Sequence, residues 1–269
     1  MKNFKNYISI LVLIQLFTSC QETIDVDLPQ QQERLVVDAL MRIPDDSSAF
    51  TTAYLRLTLT ADYFADDIPV VADAIVNINS ESNTYRMQYR GDGYYSIAIP
   101  RTEFIRDLMR LTIFYNGDTY RASARFQTAV PFDNIVQGDG SLFAGDETEV
   151  VFSYTDEPGI TNYYLFDLDK GQFLTSEDTF YKDQAFSFSY FYEDLKPNDT
   201  LNVDLIGINK PFFDYMSIVI NQSGQASGNP FTAPPSEIRG NVINATNEAN
   251  YPLGYFAIGE VYSDQIVIE

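Results

Sequence analysis

Tyr85-Arg86-Met87-Gln88-Tyr89-Arg90-Gly91-Asp92-Gly93-Tyr94-Tyr95-Ser96-Ile97-Ala98-Ile99 places large side chains at every second position on both sides of a glycine-flanked turn. A period of two is the signature of a strand with one buried face. Glycine tolerates the positive φ angles that a tight hairpin loop requires. The stretch therefore predicts a hairpin in which Tyr85, Met87 and Tyr89 oppose Tyr95, Ile97 and Ile99, and it sets the class of the whole chain as mainly β.

The same period continues in both directions. Upstream, Leu35-Val36-Val37 opens a strand, Leu55, Leu57 and Leu59 alternate with Arg56, Thr58 and Thr60, and Val76 and Ile78 alternate with Asn77 and Asn79. Downstream, Thr102 to Leu108 has room for one helical turn before Leu111, Ile113 and Tyr115 resume the alternation. Asn116-Gly117, a strong two-residue hairpin signal, then returns the chain through Tyr120 to Phe126. Seven short strands at this spacing predict an immunoglobulin-like β-sandwich over residues 33–128. Residues 129–146, with Ala129-Val130-Pro131-Phe132-Asp133 and Gly138-Asp139-Gly140, read as a linker.

A second β-rich domain with sandwich-like character is expected over 147–269. Its strands are Glu149 to Tyr154, Tyr163 to Leu168, Gly171 to Thr175, the aromatic run Phe186, Phe188, Tyr190 and Tyr192, then Leu201, Val203 and Leu205, with further strands near Ile238, Tyr255 and Ile266. One short helix is expected from Pro211 to Ser223. Pro211 suits a first helical position, Phe212, Tyr215, Met216, Val219 and Ile220 share one face, and Gly224 suits the stop.

The N-terminus has a different logic. Lys2 and Lys5 precede an apolar run from Tyr7 to Phe17, and Thr18-Ser19 leads into Cys20, the one cysteine in the chain. That order reads as a secretory signal peptide over residues 1–19. The run is about half of the roughly 20 residues needed to span a bilayer. Small residues before the cysteine resemble a bacterial lipobox, with Phe17 where the usual pattern has Leu, and make Cys20 the expected lipid-attachment residue. Several acyl chains, at about 0.8 kcal/mol per buried CH₂, would hold the mature chain at a membrane. Residues 20–32, with Glu22, Asp25, Asp27 and three consecutive glutamines, read as an acidic tether.

Composition narrows the chemistry. Loss of Lys2 and Lys5 with the leader takes the formal charge from −21 to −23. Such a surface repels phosphate backbones, which excludes nucleic acid as a partner. With no His and no Cys beyond Cys20, imidazole and thiolate metal sites, disulfides and His-based triads are excluded. No metal site, cofactor motif or catalytic set is expected. The 19 Tyr and 20 Phe suit a pleated β core.

A family likeness runs through nearly the whole mature chain. It is carried by the lipobox and Ile24-Asp25-Val26-Asp27-Leu28, Leu35-Val36-Val37, Gly93-Tyr94-Tyr95, Val130-Pro131-Phe132-Asp133-Asn134-Ile135 and Tyr163-Tyr164-Leu165-Phe166. Its most specific part is C-terminal: Asn229-Pro230-Phe231, Pro234-Pro235, Ile238, Gly240-Asn241 and Leu253-Gly254-Tyr255-Phe256. On these residues the chain resembles the Bacteroidota lipoproteins catalogued as domain of unknown function 4249, departing from them at Ala39, where Gly is common, and at Phe17. The resemblance implies an envelope lipoprotein of β-sandwich architecture encoded beside a TonB-dependent outer-membrane transporter, with no established catalytic residues. Outer-membrane localisation with surface exposure is the expectation that follows.

Candidate sites are few. The loop from Gly224 to Gly240, with Asn229, Pro230, Phe231, Pro234, Pro235, Gly240 and Asn241, is the candidate binding or docking loop, since long loops on a rigid β scaffold often carry binding. Against this stands the simpler role of pinning the loop to the sandwich. Acidic clusters at Asp62, Asp66 and Asp67, at Asp45 and Asp46, and at Asp156 and Glu157 lack the spacing of a calcium loop and read as solvated turns. Asp199-Thr200-Leu201 matches a short O-glycosylation pattern, although Thr200 also suits the start of a strand. The functional expectation is a non-enzymatic accessory or ligand-binding subunit of the transporter. Its candidate ligand is a glycan or peptide; a freestanding surface glycan-binding or adhesion lipoprotein is the second reading, and a carboxylate-dependent hydrolase the third.

Overall fold

The structure is a computed structural model that describes residues 33–46, 48–62, 65, 67–140, 145, 147–223 and 237–269. Cys20, its leader and the tether lie outside the described residues. Glu33 to Glu269 form one compact unit. Among the described residues the fold is mainly β, with three sheets and two helices.

The largest sheet runs β13 (Phe173–Glu177), β12 (Tyr163–Asp167), β15 (Thr200–Ile208), β17 (Leu253–Val267), β1 (Leu35–Pro44), β2 (Phe50–Leu59), β6 (Tyr94–Pro100) and β5 (Gln88–Gly91), with β9 (Phe126–Gln127) beside β17. A five-stranded sheet has the order β16 (Ile243–Asn244), β8 (Asp118–Ala124), β7 (Met109–Tyr115), β3 (Ile75–Asn79) and β4 (Thr84–Arg86). A three-stranded sheet has the order β10 (Phe132–Gln137), β11 (Thr148–Thr155) and β14 (Ala185–Tyr192). The helices are α1 (Arg101–Arg106) and α2 (Lys210–Gln222). Neither is long and apolar enough to cross a membrane.

The large sheet spans both halves of the sequence because β1 and β17 pair in parallel, from Val36 opposite Leu253 to Pro44 opposite Val261. Two cores lie along its inner face. Near β1 and β2, Val37, Leu55, Leu57 and Ile99 pack with Val76, Ile78, Leu111 and Ile113 of the five-stranded sheet. Near β12 and β15, Phe166, Tyr164, Val203 and Leu205 pack with Phe152 and Tyr154 of the three-stranded sheet. Full burial of one such side chain contributes about 1.5–3 kcal/mol.

The expected hairpin at 85–99 forms only in part. Tyr89 opposes Tyr95 as the pattern predicts, but the strand breaks at Met87, where the backbone N–H donates to Val76 O at 2.9 Å. Tyr85 therefore belongs to β4 and faces Ile78 in the other sheet. Gly93 is required at the turn: φ is +79°, and a Cβ there would sit 2.4 Å from Leu57 O. The Asn116-Gly117 hairpin is as predicted, with φ of 49° and 83° and Tyr115 opposite Asp118.

The strands differ from expectation in two further regions. Phe132 to Gln137, expected in the linker, form β10 because β11 offers an edge along which they pair. Ile238 lies outside any strand, and Tyr255 and Ile266, expected in separate strands, share the continuous strand β17. Helix α2 spans nearly the expected residues, and its N-cap is Asn209, whose Oδ1 accepts the Phe212 N–H at 2.9 Å.

Candidate functional site

The strand period that fills the first core also builds a second, mixed face. In β1 the residues Leu35, Val37, Ala39, Met41 and Ile43 are buried in the core, so Asp38, Leu40 and Arg42 point to the opposite side of the sheet. Tyr54 and Arg56 of β2 and Tyr94 of β6 do the same.

Helix α2 covers part of this outer face. Phe212 packs with Leu165, Ile206, Ala257 and Val261, and its ring lies 4.7 Å from that of Tyr255. Tyr215 and Tyr255 are 5.1 Å apart, and Tyr163 and Phe213 5.3 Å. Between the helix and β2 a groove of about 360 Å³ remains open. Its walls are Leu165, Phe173, Phe212 and Met216 on one side and Tyr54, Arg56 and Tyr94 on the other, with Asp38, Leu40 and Arg42 along the floor.

The two arginines are held differently. Arg42 donates from Nη1 to Asp204 Oδ2 at 2.6 Å and from Nη2 to Asp167 Oδ2 at 2.8 Å. Burial disfavours its charge, but the bonds and charges of Asp167 and Asp204 more than offset this and raise its pKa. Asp204 is fixed in turn by the Ser263 hydroxyl at 2.5 Å. Arg56 donates from Nε to Asp92 O at 3.0 Å and sets its guanidinium 5.3 Å from the centre of the Tyr94 ring. Tyr54 and Tyr94 are 56% and 45% exposed, so both rings offer a free face to a ligand.

Asp38 completes the floor. Asp38 is exposed, but partial desolvation beside the groove walls raises its carboxyl above the ordinary value, and Arg42 and Arg56 only partly counter that. Its carboxylate accepts no hydrogen bond from any of the described residues. The groove thus combines apolar walls, two aromatic faces, one cation and one acceptor, a mixture suited to holding an organic ligand in a fixed orientation.

The residues singled out from sequence fall elsewhere. Asn229, Pro230, Phe231, Pro234 and Pro235 lie outside the described residues. Gly240 packs directly on β17, where a Cβ would come within 1.6 Å of Gly254 O. Asn241 extends that contact: its Nδ2 donates to Phe256 O and its Oδ1 accepts the Phe256 N–H, both at 2.8 Å. Thr200 is the exposed first residue of β15. Asp45 and Asp62 are exposed, but Asp156 is no solvated turn. It is 1% exposed, because Tyr164 Oη and the Asp183 N–H donate to it at 2.7 and 3.1 Å.

Sequence reasoning missed Asp38, Arg42, Tyr54, Arg56 and Tyr94. The available signal was that these residues occupy the off-core positions of strands whose outer face is neither purely polar nor purely apolar.

The architecture is that of a β-sheet scaffold with a groove beside α2. The chain belongs to the family described as domain of unknown function (DUF4249), which matches residues 21–265. No curated protein matches it in sequence. Among solved structures it is similar at 13% identity to a chain from a structural study of host cell surface retention of a 1.5-MDa bacterial ice-binding adhesin. That match covers 68% of this chain and 61% of the other, with a TM-score of 0.21.

Proposed function

We propose that this chain is an outer-membrane-anchored lipoprotein, lipidated at Cys20, that serves as a non-enzymatic ligand-binding or accessory subunit beside a TonB-dependent transporter. In this reading residues 1–19 are the signal peptide and 20–32 the acidic tether. An immunoglobulin-like sandwich over 33–128 and a second sandwich-like unit from residue 147 share the large sheet. The observation that carries the binding role is the groove beside α2. Asp167 and Asp204 are both committed to Arg42 and so serve as scaffolding, which leaves Asp38, Arg56, Tyr54 and Tyr94 to meet a ligand. The Thr18-Ser19-Cys20 stretch after the apolar run supports the anchor.

The test is gentle-detergent co-purification of the C-terminally tagged chain from its own membranes, with Cys20→Ala as the unanchored control. Recovery of a transporter in near-equal amount with the lipidated form alone is the expected result. Isolation of the lipoprotein without a transporter overturns the accessory role.

The exposed rings of Tyr54 and Tyr94 favour one further reading, a freestanding surface glycan binder, because sugars stack on open aromatic faces. Glycan-array binding that is lost in Tyr94→Ala, with no transporter co-purifying, would select it.

A further inference from the structure

The five-stranded sheet turns one face to the first core and the other to solvent. Val76, Ile78, Leu111, Ile113 and Tyr120 fill the core side. Side chains alternate along a strand, so Arg86, Arg110 and Arg121 stand on the opposite side. Strand register brings them into one band. Arg121 of β8 lies opposite Thr112 of β7, Thr112 opposite Asn77 of β3, and Asn77 opposite Arg86 of β4, so a single row crosses four strands. Arg110 lies in the next row, between Ser123 and Asn79. All three arginines are exposed, and their guanidiniums make no ion pair or hydrogen bond among the described residues.

This face reverses the charge of the molecule. The chain has 38 Asp and Glu against 17 Lys and Arg. The five strands nevertheless hold three arginines and a lone acid, Asp118, the first residue of β8. Asp118 Oδ2 is occupied at the end of the sheet, where Asn244 Nδ2 and Asn250 Nδ2 donate to it at 2.9 and 2.8 Å. Asp73 and Glu81 lie in the connections before and after β3. At the Asp118 end, the next row pairs Phe114 with Ile75, both exposed. The described chain also begins at this end: Arg34 Nη1 donates to Ala249 O and Tyr251 O at 3.3 and 3.2 Å, on either side of the Asn250 that holds Asp118.

Standing up from the sheet, Arg86 and Arg121 are three inter-strand steps apart, about 14 Å. That spacing suits a plane of anionic groups better than one small anion. A protein partner would call for an apolar anchor at the centre of the contact. Here the centre is Thr112 and Asn77, and the apolar residues stand at the margin.

We propose that this face docks on an anionic phospholipid surface, with the guanidiniums of Arg86, Arg110 and Arg121 pairing with lipid phosphates and Phe114 and Ile75 entering the interfacial layer. Guanidinium forks match phosphate oxygens. The proposal rests on the reading that Cys20 anchors the chain. An anchor keeps the face at high local concentration, so a contribution of about fivefold per arginine is enough to orient the protein. At physiological ionic strength charges beyond about 8 Å are largely screened, and acids elsewhere on the surface do not cancel the face. The groove beside α2 lies on the far side of the large sheet, so docking would turn it away from the membrane.

The experiment is vesicle flotation of the mature chain, residues 20–269 with Cys20→Ala so that no lipid is attached, at millimolar lipid and physiological salt. One set of vesicles is phosphatidylcholine alone, the other equal parts phosphatidylcholine and phosphatidylglycerol. The expected result is binding to the anionic vesicles only, weakened about fivefold by Arg110→Ser or Arg121→Ser and more than tenfold by the two together. Arg121→Lys, which keeps the charge, and Lys196→Ser, outside this sheet, should bind nearly as the parent does. The proposal is overturned if the parent floats with neither set or equally with both, which would leave the face to an acidic protein. It is equally overturned if the arginine variants match the parent. The parent's own choice between the two vesicles decides the matter should a variant fail to fold. Because no acyl chain is present, a negative result strikes the docking face alone, whereas absence of lipid on Cys20 in cells would strike the anchor alone.

Discussion

Along the inner face of the large sheet, the space near β1 and β2 is filled by Val37, Leu55, Leu57, Ile99, Val76 and Ile113, with Tyr95 and Tyr120 as its buried tyrosines. Near β12 and β15 it is filled by Phe152, Tyr154, Tyr164, Phe166, Tyr181 and Tyr192, flanked by Phe186, Phe188 and Tyr190. Aliphatic side chains pack without regard to direction, whereas each buried hydroxyl must find a partner. In the second core they do. Tyr154 Oη donates to Tyr181 Oη at 2.7 Å, Tyr164 Oη to Asp156 Oδ1 at 2.7 Å, and Tyr192 Oη to Leu168 O at 2.7 Å. The rings of Tyr181 and Phe186 stack at 4.1 Å, and Phe166 meets Phe188 edge-on at 5.0 Å. The first core is filled mainly by aliphatic side chains, with Tyr95 Oη donating to Val71 O at 3.0 Å, whereas the second is filled mainly by rings whose hydroxyls form a network.

The largest test of that contrast is truncation. Phe166→Ala should cost about 4 kcal/mol and Leu57→Ala about 3 kcal/mol, read from urea denaturation midpoints. Equal sensitivity to volume combined with unequal sensitivity to hydroxyl loss is what the two-core picture requires. Tyr164→Phe should therefore cost about 2 kcal/mol, because it takes a donor from buried Asp156, while Tyr120→Phe should cost less than about 1 kcal/mol, since its bond to Asp118 is long at 3.5 Å.

Alkaline pH separates the cores in a different way. Burial raises the phenols of Tyr164, Tyr154 and Tyr192 above the ordinary value of 10, most strongly in the second core, and Tyr120 is pushed up to about 12. A raised folded pKa contributes stability that is intact below pH 10 and is lost as pH climbs through the folded values. Absorbance at alkaline pH should show a set of tyrosines that ionise only on unfolding, and Tyr154→Phe should move that transition to higher pH.

The smallest effect lies on the outer face. Asp38 is raised above its ordinary 3.8, so the stability linked to it is present below that value and lost as pH rises. Asp38→Asn should leave stability near pH 3 unchanged and raise it slightly at pH 7, as followed by thermal melting.

Much of the local structure was legible. Asn116-Gly117 specified its turn because both residues accept positive φ, and the alternations in β2, β7 and β15 identified which residues face a core. The shared face of α2 was legible, and Phe212 and Met216 on it lie against the sheet. The groove was not legible. Asp38 and Arg56 look like ordinary solvent-facing residues until α2 is laid beside them, and Asp156 looks like a turn residue until Tyr164 points at it.

By itself the sequence determined the β class, the inner and outer faces of most strands, one helix and the two-residue turn, because each depends on contacts within a few residues. Only the tertiary structure decided which sheet each strand joins. The break at Met87, the pairing of Phe132 to Gln137 with β11, and the parallel contact of Leu35–Pro44 with Leu253–Val267 all depend on which edge is free to pair. A period of two tells a residue which side of a sheet it faces, but backbone hydrogen bonds between strands are the same for every sequence, so the neighbour is chosen by packing across the whole molecule.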